Sequence, residues 1–220
     1  MSLMFCRKPV IHILSILLLF SCNSSAQREK TAIPVKADSA QAGIEDREKA
    51  SAIQDARIED TLGHKIFTVS FKVKATKKED LETFEDGIIP WIDLDSPKRT
   101  IKHLVDPDEI VIPYQKVALM IDYPLARPVF FELSSPSKGF TRKQIVLAIS
   151  KKYHEIYDEE ERTAATKTIP MAQRKTLANR NETDGKYGIW GHDLSDLMLD
   201  TIDVYKNDKG EVFLQLSIES

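Results

Sequence analysis

Phe140-Thr141-Arg142-Lys143-Gln144-Ile145 opens the segment on which the fold turns. A threonine followed three residues later by a glutamine is a capping box: the Thr141 hydroxyl accepts from the Gln144 N–H, and the Gln144 side chain reaches back to the N–H of Thr141. Phe140 and Ile145 stand at the positions of a hydrophobic staple. Beyond them Ile145, Ala148, Ile149, Tyr153 and Ile156 recur at spacings of three and four, which marks one apolar stripe. The spacing predicts a helix laid on a sheet, with Ile149 at the centre of the contact. The helix runs into Asp158-Glu159-Glu160-Glu161, and acids at a C-terminus oppose the macrodipole by a few tenths to about 1 kcal/mol. Either the helix continues past Glu161 or the acids have another use; a solvated face is the simpler reading.

Upstream of the helix the pattern changes period. Phe67, Val69, Phe71 and Val73 alternate with Thr68, Ser70, Lys72 and Lys74, the period of two expected of a half-buried strand that begins near Ile66. Ile88–Leu94, Ile110–Pro113, Val117–Tyr123 and Val129–Leu133 are further short apolar runs. Pro113, Pro124 and Pro128 fall at run ends, where a missing N–H costs least. Connections this short cannot hold crossover helices, so the pairing should be mainly antiparallel.

Downstream, residues 163 to 188 show little hydrophobic periodicity. A loop of that length is uncommon without a function of its own. Order returns with Ile202 and Val204, then Asn207-Asp208-Lys209-Gly210, then Val212, Leu214, Leu216 and Ile218, a hairpin with Gly210 at its left-handed position. The fold class that follows is α+β: an antiparallel sheet of five to seven strands, one long helix packed on one face, and a C-terminal hairpin.

Within this frame Tyr187-Gly188-Ile189-Trp190-Gly191-His192-Asp193-Leu194-Ser195-Asp196 concentrates aromatic, glycine, histidine and carboxylate residues. One reading makes Arg180, Asp184, Tyr187, Trp190 and His192 the lining of a polar groove beside the long loop, a ligand or partner site. A catalytic version uses His192 as general base, oriented by Asp193 or Asp184. The plainer reading buries Trp190, turns the chain at Gly191 and uses Asp193 or Ser195 to cap a short turn that carries Leu194, Leu197 and Met198 inward. His192-Asp193 resembles the metal-binding dipeptide of helical phosphohydrolases, but the further His and Asp ligands on several helices are missing, so no metal is expected. No G-x-S-x-G elbow and no phosphate-cradling glycine loop occurs, so no nucleotide cofactor is expected either. The acids at Glu82, Glu85 and Asp86, or at Asp93 and Asp95, lie in polar segments and read as solvated.

The N-terminal part carries different information. Residues 23 to about 60 are polar, lack aromatics, and read as a tether following residue 22; Ala40–Asp60 holds good helix formers without a single apolar stripe. The folded domain is expected over 61–220. Before the tether, Arg7 and Lys8 precede an apolar run from Val10 to Ser21, shorter than the roughly 20 residues that span a bilayer. Residues 1–21 therefore read as a cleavable export signal.

That run ends in Leu19-Phe20-Ser21-Cys22, which resembles the lipobox of bacterial lipoproteins, with Phe20 bulkier than the motif usually carries. The resemblance implies lipidation at Cys22, attachment to a membrane of the cell envelope and exposure to the periplasm or the exterior. Cleavage after Ser24-Ser25-Ala26, leaving a soluble secreted protein, is the alternative. Cys6 lies in the signal and no cysteine follows Cys22, so the domain has no disulfide or thiol chemistry. Loss of Arg7 and Lys8 leaves 29 basic against 34 acidic residues, net −5, which argues against nucleic acid as partner. The expectation for function is an envelope lipoprotein with a non-enzymatic domain that binds a protein or an envelope carbohydrate; an envelope hydrolase using His192 and Asp193, and a periplasmic inhibitor or immunity protein, are the alternatives.

Overall fold

The helix that decides the fold class has its capping box intact. In the computed structural model, which describes residues 37–174 and 180–220, the Thr141 hydroxyl accepts from the Gln144 N–H at 3.2 Å and the Gln144 side chain accepts from the Thr141 N–H at 2.9 Å. The signal, Cys22 and the first part of the tether lie outside the described residues. In chain order the elements are α1 (Ala37–Leu62), β1 (His64–Ser70), β2 (Val73–Lys74), α2 (Lys78–Thr83), β3 (Ile88–Ile89) and β4 (Ile92–Asp93). There follow two single-turn 3-10 helices (Pro97–Arg99 and Ile101–His103), β5 (Ile110–Ile112), β6 (Lys116–Ile121), β7 (Val129–Ser134), β8 (Phe140–Thr141) and α3 (Arg142–Thr163). Two further 3-10 turns, Met171–Gln173 and Leu194–Asp196, precede the closing strands β9 (Met198–Lys206) and β10 (Val212–Glu219).

The fold is α+β. Six strands form the main sheet in the order β1-β9-β10-β6-β7, with β4 also on β9. Pairing is antiparallel except between β10 and β6, which run parallel at Phe213↔Ala118 and Leu214↔Leu119. The exception has a topological reason. The chain between β6 and β10 includes the whole of α3, so this pair is free of the short-connection constraint that forces β6–β7 and β9–β10 to be antiparallel. The hairpin turns at Asn207–Gly210 with Gly210 at φ +81°, and the Asn207 side-chain oxygen accepts from the N–H groups of Lys209 and Glu211, both at 3.0 Å.

Ile145, Val146, Ile149, Tyr153 and Ile156 of α3 are buried against Leu119 and Ile121 of β6, Ile202 and Val204 of β9, and Leu214 and Leu216 of β10. Each such side chain contributes roughly 1.5–3 kcal/mol, so this one interface accounts for much of the fold.

Two strand expectations are refined. The alternating run from Ile66 is not one strand: β1 stops at Ser70, the Phe71 N–H still donates to the Asp200 carbonyl at 3.1 Å, and β2 changes partner to β3. The alternation survives because Val69, Phe71 and Val73 are all buried on the same side. Ile88–Leu94 divides at Pro90-Trp91 into β3 and β4, since proline has no N–H for the ladder.

The opposite face of the sheet meets α1, whose range includes the helix-forming stretch Ala40–Asp60. Leu62, at its C-terminal end, packs with Met120 and Tyr205, residues whose neighbours in the strand face α3. Gly63 then turns at φ +98° beside the Lys206 backbone, too close for a Cβ, and leads directly into β1.

Candidate functional site

Glu160 sets the frame of the loop region. It stands four residues beyond Ile156 on the buried stripe of α3 and is itself 0% exposed. Its carboxylate accepts from the Thr183 hydroxyl at 2.8 Å and from the N–H groups of Gly185, Tyr187 and Gly188 at 2.8, 2.7 and 3.1 Å. Burial pushes its pKa up, but the combined hydrogen bonds, the Tyr187 N–H foremost, outweigh this and hold it below the ordinary 4.5. A Cβ on Gly185 would lie 2.7 Å from that carboxyl carbon, so glycine is required there. The reading of Asp158–Glu161 as a solvated run is thus corrected at Glu160. The helix also continues, to Thr163.

From this anchor the segment runs beside residues 124–127. The N–H groups of Ala126 and Arg127 donate to the carbonyls of Gly188 and Tyr187 at 2.9 and 3.1 Å, and the Trp190 N–H donates to the Pro124 carbonyl at 3.2 Å. The Arg127 side chain also holds the carbonyls of Gly185 and Lys186. Tyr187 and Trp190 are buried. Trp190 meets the Tyr123 ring edge-on at 5.2 Å, and Gly191 turns the chain at φ +71°.

A second knot holds the far side. Arg174 grips the Asp193 carboxylate with two nitrogens at 2.6 and 2.9 Å, the bidentate geometry that makes such pairs strong. Buried Arg180 donates to the Thr168 hydroxyl at 3.2 and 2.5 Å and lies over the Tyr157 ring, 5.1 Å from its centroid. Asp193 precedes the turn Leu194–Asp196 and its N–H donates to the Asp196 carboxylate at 2.9 Å, while Leu194 and Leu197 are buried.

His192 belongs to a third group. Its Nε2 is 2.9 Å from the Tyr123 hydroxyl, which also lies 2.9 Å from a Glu48 carboxylate oxygen and 2.8 Å from the Ser220 hydroxyl. Glu48 is 3.5 Å from the ring nitrogen, and the His192 side chain is 13% exposed. Burial pushes the Tyr123 phenol well above its usual range.

Of the residues expected to line one groove, Trp190 and His192 meet with ring centroids 5.8 Å apart and Arg180 donates its backbone N–H to the Gly191 carbonyl between them, whereas Asp184 lies apart. Arg180, Tyr187 and Trp190 are buried in the frame, and His192 joins Tyr123 and Glu48. Asp184 stands exposed on the surface with its carboxylate accepting from the Thr166 N–H at 2.7 Å, a bond that lowers its pKa. Neither Asp193 nor Asp184 orients His192: the first is taken by Arg174 and the second by Thr166. The group within hydrogen-bond distance of the His192 Nε2 is the Tyr123 hydroxyl, which in turn donates to Glu48. Among the described residues, no three of His, Cys, Asp and Glu gather in a way that could hold a metal ion.

Reading the residues alone overlooked Glu160, Arg174, Tyr123 and Glu48. Glu160 was detectable, because it falls on the stripe spacing that begins at Ile145. The other three depend on contacts between distant parts of the chain. On the outer side of the loop, Ile169 and Met171 are 45% and 54% exposed on either side of Pro170. No family model, curated protein or solved structure matches this chain.

Proposed function

We propose that this chain is an exported lipoprotein, anchored to a membrane of the cell envelope through Cys22, whose α+β domain works by binding a partner. The contact surface is the described part of the loop that follows α3, around Ile169 and Met171, and the partner is a protein or an envelope carbohydrate. The observation that carries this reading is the way the loop is built. Glu160, Arg127 and the Arg174–Asp193 pair fix it from within, while Ile169 and Met171 project apolar surface outward. A surface that is rigid before contact loses little entropy when a partner docks, which is where preorganised interfaces gain affinity.

Two measurements test this reading. Mass spectrometry of the native product should find acyl groups on an N-terminal Cys22; an intact Met1 without acyl groups would overturn the anchor. Crosslinking of the Cys22-anchored protein in its envelope should capture a partner that Ile169→Asp/Met171→Asp fails to capture while remaining folded. Capture by that variant at the native level would remove the loop from the interface.

A further inference from the structure

The 3-10 turn Pro97–Arg99 is latched to the side of α3. The buried Ser150 hydroxyl donates to the Leu94 carbonyl at 2.7 Å, and His154 Nε2 lies 2.8 Å from the Asp95 carbonyl, where it donates. The Asp93 carboxylate accepts from the N–H groups of Asp95 and Ser96 at 2.8 and 3.2 Å. Between turn and helix lies a cleft of about 590 Å³ whose rim carries Lys98, Arg99 and Lys151.

Its charge is unusual for this chain. Lys98, Arg99 and, one turn on, Lys102 are exposed, and none of them enters the ion pairs found among the described residues. Lys151 is 3.8 Å from Glu155, which Lys152 already holds at 2.6 Å. The acid in the wall is Asp95, 3.2 Å from the Ser96 hydroxyl and 3.8 Å from His154. Two cations outside the ion pairs, Lys98 and Arg99, and a third, Lys151, that shares Glu155 with Lys152, thus line a cleft whose wall holds one carboxylate. A concave wall of one sign focuses potential and concentrates ions of the other sign.

We propose that this cleft binds a phosphate group carried on a larger organic molecule. A phosphate group, dianionic as a monoester and monoanionic as a diester, answers neighbouring cations with several oxygens at once, and the guanidinium of Arg99 offers two parallel donors to those oxygens. The cleft is within the 300–1,000 Å³ typical of small-molecule sites, far larger than phosphate alone requires. Pro97 and Leu147 offer carbon surface to the carrier. The same chemistry suits a soluble organophosphate and a phospholipid headgroup. The site is separate from the loop surface, so either proposal stands if the other fails.

Titration of the full chain with glycerol 3-phosphate, and with dihexanoyl phosphatidylglycerol below its micellar concentration, tests the assignment by NMR shifts of the Lys98–Lys102 amides. At least one probe should bind, with dihexanoyl phosphatidylcholine as the weaker comparison. Arg99→Glu/Lys151→Glu should weaken binding at least tenfold, whereas Lys167→Glu/Lys186→Glu should leave it within twofold. The milder Lys98→Gln/Arg99→Gln, which keeps the surface polar, should weaken it several-fold with unchanged thermal unfolding. Binding by the glycerol phosphate identifies a soluble source, and binding by the phosphatidylglycerol alone identifies a lipid one. Absence of binding by the native chain at low salt, or equal losses in the control variant, would overturn the proposal.

Discussion

The sheet meets two long helices, one on each face, and holds them in different ways. α3 has 22 residues and lays an unbroken stripe from Ile145 to Ile156 into the core. α1 has 26 residues and is longer, and among the described side chains it reaches the sheet core through Leu62. Leu62 packs beside Met120 and Tyr205 at its C-terminal end, and Arg47 and Glu48, near its middle, reach Glu182 and Tyr123. Between these points a cleft of about 470 Å³ separates Ser51, Ala52 and Ala56 from Asp203, Gln215 and Ser217. Helix length therefore says little about attachment; the period of the apolar residues decides it.

The most severe way to break the comparison is Ile149→Asp. It places a charge at a fully buried position of α3 and should cost more than about 4 kcal/mol, comparable to the lower end of the 5–15 kcal/mol that folds a typical domain. Chemical denaturation should show no cooperative transition. Next comes Trp190→Ala, which empties a buried site on the loop and should cost about 3–5 kcal/mol in the same assay.

Glu160→Ala should cost about 3 kcal/mol, because it leaves three buried backbone N–H groups without their acceptor. Glu160 also predicts a pH dependence. Its folded pKa lies below the ordinary 4.5, so its contribution is complete above that value and is lost as pH falls through the lower folded value. The stability of Glu160→Gln should accordingly fall less steeply than the native protein's below about pH 4.5.

On the α1 side the effects should be smaller. Leu62→Ala should cost about 2 kcal/mol, the low end for a buried leucine, because its cluster is small. Glu48→Ala or Arg47→Ala should each cost below about 1 kcal/mol. Amide hydrogen exchange should sharpen the contrast, with α1 opening well below the global unfolding free energy and α3 exchanging only through it.

The parts legible in the sequence were those governed by local spacing. The capping box, the α3 stripe, the Gly210 turn and the alternation through Val73 need no knowledge of distant residues. The loop region was legible only as unusual. Tyr187, Trp190 and the glycines mark a place where backbone and aromatic rings pack closely, but that pattern suits a groove and a buried frame equally well. The choice depends on Glu160, hidden in a run of acids that resembles a solvated face, and on Tyr123 and Arg174, which come from elsewhere in the chain. Partner exchange at Phe71 was invisible for the same reason, since burial of one face fixes the side of a residue and not its neighbour.

The position of β10 between β9 and β6 has a consequence for biosynthesis. Until residues 212–219 leave the ribosome, Ile202, Val204, Leu119 and Ile121 have no strand to join them, and the middle of the sheet is missing. A nascent chain of this topology stays open until β10 has emerged. For a precursor proposed to be exported, that delay keeps the polypeptide unfolded while β10 is still being made.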